Sequence, residues 1–194
     1  NNQLPHAVLI TSVSGVGLAS VASSLCATLL CERDNDSPCG ECSSCSRVSG
    51  GTHGDYRWVE VPEGKASIGV DQIREAGDFV TKTAGYGSQK ILVISDAEKM
   101  TTGASNALLK TLEEPQGNSL IVLLSQRNWL LPATIRSRCQ TWRLPALKAA
   151  SSIDHLRAAG VDVPSDISKN DRALERLVLS VVDGKAEARS IVMN

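Results

Sequence analysis

Five short apolar runs are separated by longer stretches of helical period: "AVLI" (Ala7–Ile10), "YRWVEV" (Tyr56–Val61), "KILVIS" (Lys90–Ser95), "LIVLLS" (Leu120–Ser125) and "CQTWRL" (Cys139–Leu144). Continuous apolar runs belong to strands buried on both faces, and helices between them supply the crossovers that a parallel sheet needs. The expected fold is therefore α/β, a mostly parallel five-stranded sheet sandwiched by helices. Three helical stripes fit this scheme: Leu18, Val21, Ala22, Leu25 and Leu29; Val70, Ile73, Gly77 and Val80; and Ala104, Ala107, Leu108 and Thr111, the last running from Thr102 to a stop at Pro115.

After Pro145 the pattern changes. "LKAASSIDHLRAAG" and "RALERLVLSVVDGKAEARSIV" keep helical period throughout, so residues 1–145 are expected to form the α/β domain and residues 146–194 a small all-helical one. A chain of 194 residues has enough length for a conventional core in such an arrangement. The start close to a strand and the ending "SIVMN" suggest a piece of something longer.

Composition narrows the function classes. Lys and Arg number 20 against 21 Asp and Glu, so no global field advertises nucleic acid or a membrane surface. No window holds the ~18 consecutive apolar residues of a membrane span, and "NNQLPHAVLI" lacks the basic and long apolar regions of a signal peptide, which reads as cytoplasmic with no membrane partner. Aromatic residues make up only 3%, too few for a single-strand binder built on stacking.

Cys31, Cys39, Cys42 and Cys45 cluster in "CERDNDSPCGECSSC". Two overlapping CxxC steps let thiolates close on one ion from a tight turn, with Gly40 easing the backbone where it folds back. Cys31, at the end of the first helix, would be the fourth ligand of a tetrahedral, structural Zn²⁺ site. A pair of disulfides is the rival, disfavoured in a cytosolic setting. His53 in "GGTHGDY" is a conceivable substitute ligand, although a lone loop histidine is more often solvated, and Cys26 reads as a core residue.

The stretch "TSVSGVGLAS" (Thr11–Ser20) sits where a phosphate loop would. Such a loop follows a strand, opens a helix and reads GxxxxGK[ST]: backbone amides cradle phosphates, the lysine neutralises them and the hydroxyl holds Mg²⁺. In that frame Ser12 replaces the first glycine, Gly17 is the second, Leu18 stands for the lysine and Ala19 for the hydroxyl residue, while Gly15 and Gly17 keep the bend. Asp96 ends the third run where an acid orients the metal shell, but Ala97 follows it where an activating glutamate would stand, and Glu98 is one place too far along. Tight nucleotide binding is not expected, and the bland reading is an ordinary strand-to-helix glycine turn.

"SNALLKTLEEP" (Ser105–Pro115) and "ATIRSRC" (Ala133–Cys139), with the cysteine insert and "GTHGDY", resemble the clamp-loader branch of the AAA+ family, in particular the loader subunits of bacterial DNA polymerase III. The resemblance covers about Leu4 to Leu144 well and the tail only loosely. It implies an AAA+ sheet followed by a helical lid domain, with the family's C-terminal collar domain expected to lie outside these 194 residues. The tau and gamma motor subunits resemble it in the insert, in "NALLKTLEEP" and in "SRC", yet their family carries intact GK[ST] and Asp-Glu; the departures at Leu18, Ala19 and Ala97 separate this chain from them.

The resemblance further implies that Arg138 of the SRC tripeptide, with Ser137 shaping its loop and Cys139 completing it, is an arginine finger acting on the triphosphate of a neighbouring subunit. Ser125 or Gln126 stands nearest to a γ-phosphate sensor. The implied role is that of a non-hydrolysing stator, binding no ATP itself, in a loader with tau/gamma motors and a delta subunit that brings the sliding clamp to primed DNA in DNA replication. Two other readings stay open: an ATP-hydrolysing motor with an atypical phosphate loop, and a nucleic-acid module centred on the insert. The second is opposed by local charge, since the segment from Cys31 to Cys45 carries Arg33 against Glu32, Asp34, Asp36 and Glu41.

Overall fold

The computed structural model describes residues 4–12, 17–33, 37–86, 89–115 and 117–145. The expected helical domain at 146–194 and Gly15 of the glycine loop lie outside the described residues.

All five apolar runs form strands: β1 (Ala7–Ser12), β2 (Tyr56–Val59), β3 (Lys90–Ile94), β4 (Ser119–Ser125) and β5 (Gln140–Leu144). Their order in the sheet is β2-β3-β4-β1-β5, and every pairing is parallel. The helices are α1 (Leu18–Leu30), α2 (Ser43–Ser49), α3 (Val70–Thr81), α4 (Thr102–Glu113) and the single turn α5 (Ala133–Arg136).

Side chains on each strand alternate between two cores, as a pleat requires. Val8, Ile10, Ile91, Val93, Val122 and Leu124 face the α1 side, whereas Ala7, Leu9, Leu92, Ile94, Ile121 and Leu123 face α3 and α4. Each fully buried leucine or isoleucine contributes about 1.5–3 kcal/mol, so a central sheet covered on both faces dominates the stability of this region.

The helical stripes are shifted from those predicted. On α1 the buried line is Leu18, Ala22, Cys26 and Leu30, with Leu25 and Leu29 flanking it and Val21 turned out to solvent at 38% exposure. Steps of four residues carried the stripe through Cys26, which is a core residue as expected and has its thiol pushed up to about 12 by burial. On α3 the buried residues are Ile73, Ala76 and Val80, and on α4 they are Ala104, Ser105, Leu108 and Leu112. Thr101 caps α4 by accepting the Ala104 amide at 3.2 Å, and the helix stops at Glu113, before Pro115 can continue it.

The topology also fixes where a ligand would sit. The chain leaves β1 on one side of the sheet and reaches β5 on the other, so connections diverge between β1 and β4. Crevices at the carboxyl ends of strands beside such a switch point are the usual ligand sites of parallel sheets.

Candidate functional site

A cleft of about 170 Å³ lies at that switch point, lined by Gly17, Leu18, Ala19, Ser95, Asp96, Ser125 and Gln126 among others. The fold therefore brings Gly17, at the start of α1, together with Asp96 after β3 and both sensor candidates. Gly17 has φ +59°, a left-handed conformation that glycine adopts without a Cβ clash, and it starts α1 directly. The volume is below the roughly 300–1,000 Å³ typical of small-molecule pockets.

The residues at the chemical positions supply little of the chemistry that a phosphate site needs. Leu18 is buried in the α1-side core, while Ala19 is exposed and offers only a methyl group. Ser12, in place of the first glycine, is buried at the end of β1 and is not among the lining residues of the cleft. Asp96 has φ +50°, the one non-glycine residue with positive φ among those described, and its carboxylate accepts from Lys99 Nζ at 3.0 Å. Ala97, at 1% exposure, packs into the opposite core with α3 and α4.

That sharp turn at Asp96 settles the position of Glu98. Its side chain is 3% exposed, and it faces Arg127 Nε at 3.7 Å rather than the cleft. Ser125 is buried and its Oγ accepts the Arg127 amide at 3.2 Å, which ties the segment after β4 to the same rim.

Arg138 stands away from the cleft, on the turn between α5 and β5. Its Nη2 lies 2.6 Å from Glu113 Oε1 at the end of α4, and its Nη1 donates to the Thr134 carbonyl at 2.9 Å. Ser137 Oγ donates to that same carbonyl at 3.1 Å, so the hydroxyl helps to close the turn. Cys139 is buried behind it, with burial pushing its thiol up to about 11.

The four clustered cysteines do converge. The sulfurs of Cys31, Cys39, Cys42 and Cys45 all lie within 4.8 Å of one another, with Cys31–Cys42 at 4.0 Å and Cys39–Cys45 at 3.9 Å. A tetrahedron with Zn–S bonds of about 2.3 Å has edges of about 3.8 Å, so the donor set fits such an ion closely. None of the cysteines is in a disulfide.

Local backbone prepares three of these sulfurs for negative charge. The amides of Arg33, Cys42 and Cys45 donate to Cys31, Cys39 and Cys42, each at 3.4 Å. The Cys42 thiol is pushed down to about 6, chiefly by backbone hydrogen bonding from Glu32 and then Cys45, whereas burial pushes the Cys45 thiol up to about 12. Gly40 has φ +72°, which supplies the reversal inside the first CxxC step, between Cys39 and Cys42. The four cysteines can hold a metal ion, as predicted.

Sequence reasoning missed the base of this insert. Glu32 Oε1 accepts Ser43 Oγ at 2.6 Å and the Ser44 amide at 3.1 Å, so a carboxylate holds the start of α2. His53, expected to be solvated, is 3% exposed and is not a ligand: Nδ1 accepts the Asp55 amide at 3.0 Å and Nε2 meets Ser44 Oγ at 3.1 Å. Asp55 is fully buried and pairs with Lys90. The clue in the sequence was a lysine opening the apolar run "KILVIS", a position where only a buried acid makes a cation tolerable.

Comparison with known proteins decides the family. A family model described as "DNA polymerase III, delta subunit" matches residues 1–148. The chain belongs to this family. Within it, the similarity is to subunits named delta': that of Pseudomonas aeruginosa is 39% identical over 177 residues, 91% of this chain and 52% of the relative. The DNA polymerase III subunit tau of Bacillus subtilis is 29% identical over 188 residues, 96% of this chain and 32% of the relative. The chain thus spans about half the length of the delta' subunit it matches.

Among solved structures, a DNA polymerase III gamma subunit-related protein from Thermotoga maritima superposes with a TM-score of 0.61 at 22% identity, covering 94% of this chain and 54% of that one. At that identity the likeness concerns the fold alone. It agrees with the parallel five-stranded α/β fold described above. Among the described residues no helix is long and apolar enough to cross a membrane.

Proposed function

We propose that the chain is the AAA+ portion of a non-hydrolysing stator in a bacterial sliding-clamp loader, supplying Arg138 in trans to the ATP site of a neighbouring tau/gamma motor subunit. The observation that carries this reading is the cleft at the β1/β4 switch point, where Leu18 and Ala19 stand in place of the lysine and the hydroxyl, while Ala97, in place of the glutamate, is packed into the core on the α3 and α4 side. Without the lysine a charge-assisted contact is lost, and without the hydroxyl and the glutamate neither Mg²⁺ nor the attacking water is held. Arg138, by contrast, sits on a short turn that leaves its side chain 36% exposed.

An arginine presented across a subunit boundary neutralises charge that develops on the transferred phosphoryl group, an effect worth roughly 10³ to 10⁵ in rate. The delta subunit joins the tau/gamma motors as a partner in the loader, and the sliding clamp and primed DNA are partners through the complex. Zn²⁺ is the proposed occupant of the Cys31, Cys39, Cys42 and Cys45 site, in a structural role because four protein ligands leave no open position. The deciding experiment replaces Arg138 by alanine in the full-length protein assembled with its motor subunits: DNA-stimulated ATPase should fall while assembly persists, and an unchanged rate refutes the reading.

A further inference from the structure

We propose that Glu113, the last residue of α4, is a positioning residue for Arg138, holding the guanidinium in the orientation in which a neighbouring triphosphate meets it. This rests on the reading of Arg138 as a finger acting in trans. The observation is a clamp made by two helix ends: Glu113 Oε1 takes Nη2 at 2.6 Å and the Thr134 carbonyl of α5 takes Nη1 at 2.9 Å. The Arg138 amide is itself fixed, donating to the Ile135 carbonyl at 3.1 Å.

A guanidinium carries five N–H donors in a rigid planar fork. Two are engaged here, which leaves three for an anion arriving from outside. A free arginine side chain would have to be ordered when it binds, whereas one clamped at both terminal nitrogens has lost that freedom already. Both partners remain partly exposed, at 36% for Arg138 and 49% for Glu113, so the clamp does not bury the charge that must act on the neighbour. Because Glu113 closes "NALLKTLE" and Arg138 lies in the SRC turn, the contact joins two motifs 25 positions apart, from 113 to 138.

The test uses the loader assembled from the full-length protein and its motor subunits, with steady-state ATPase on primed DNA. Glu113→Ala is expected to lower kcat at the site Arg138 serves by about tenfold, as misplacement of a catalytic group does, while KM for ATP is unchanged. Glu113→Gln, whose amide oxygen can still accept from Nη2, should recover most of that loss. In an Arg138→Ala background Glu113→Ala should cost nothing further.

An equal loss in that background would overturn the proposal, because Glu113 would then act through something other than Arg138. A faster rate in Glu113→Ala would also overturn it, showing a restraint in place of a positioning contact. If Glu113→Ala is silent while Arg138→Ala slows the loader, only the positioning role falls. If Arg138→Ala is itself silent, the finger reading falls and the positioning role with it.

Discussion

Lys90 Nζ lies 3.0 Å from Asp55 Oδ1 in an ion pair whose side chains are 7% and 1% exposed. The pair is embedded in further contacts: Asp55 also accepts the amides of Gly85 at 2.8 Å and Tyr86 at 2.6 Å, and Lys90 Nζ donates to the Gly54 carbonyl at 3.2 Å and lies 4.5 Å from the Phe79 ring centroid. It therefore ties "GTHGDY", the loop after α3 and the start of β3 into one unit. Replacing Asp55 by alanine strands a buried ammonium and two amides, and should cost about 3–5 kcal/mol of unfolding free energy in urea titration. The double variant Asp55→Ala/Lys90→Met should recover part of that loss; a single variant as stable as the parent would remove the argument.

His53 gives a pH dependence of known sign. Its Nδ1 accepts the Asp55 amide, so the neutral ring carries its proton on Nε2 and donates it to Ser44 Oγ. Protonation would set a new N–H against that amide, and burial holds the pKa below the ordinary 6.5, with Arg47 adding to the effect and Asp55 opposing it. The unfolded chain then binds the proton more readily than the folded one, so stability rises with pH. The contribution is fully present above about 6.5 and is lost as pH falls through the lower folded-state value. His53→Asn, which keeps an acceptor for the Asp55 amide, should flatten melting temperature against pH below 6.5; parallel curves for the two proteins would contradict the assignment.

The sheet was legible because five apolar runs need no help from tertiary context, and each became a strand. The thiol cluster was legible for a similar reason, since overlapping CxxC steps encode a turn and a ligand set together. Facing directions were harder. Val21 looked as apolar as Ala22 and Cys26, and only packing against the sheet decided that it turned outward while they went inward. The Asp55–Lys90 and Glu113–Arg138 contacts join residues 35 and 25 positions apart, and no local period announces such pairs. The region of the phosphate loop showed its losses in the sequence, whereas the destination of Glu98, against Arg127, needed the left-handed turn at Asp96 to be seen.

The metal reading predicts a single zinc per chain after chelator washing under conditions that leave the fold intact. Cys31→Ser and Cys42→Ser should each lower the zinc content and the melting temperature, because binding energy at a structural site is also folding energy. Retention should weaken as the solution is acidified, since protons compete for the thiolates. Free thiols without metal in protein purified anaerobically would refute the site.

Nucleotide binding offers the sharpest separation between stator and motor. Titration with a labelled ATP analogue and Mg²⁺ should give no micromolar binding to this chain, and micromolar Mg²⁺-dependent binding would restore the motor reading. Restoring the missing groups should not rescue the site simply. Leu18→Lys gives up burial worth about 1.5–3 kcal/mol in the α1-side core, and Ala97→Glu places a carboxylate where the side chain is packed among apolar neighbours of α3 and α4. The triple variant Leu18→Lys/Ala19→Thr/Ala97→Glu is therefore expected to melt at a lower temperature than the parent and still to bind the analogue weakly. A triple variant as stable as the parent and saturated at micromolar analogue would mean that these positions were vacated without being absorbed into the core.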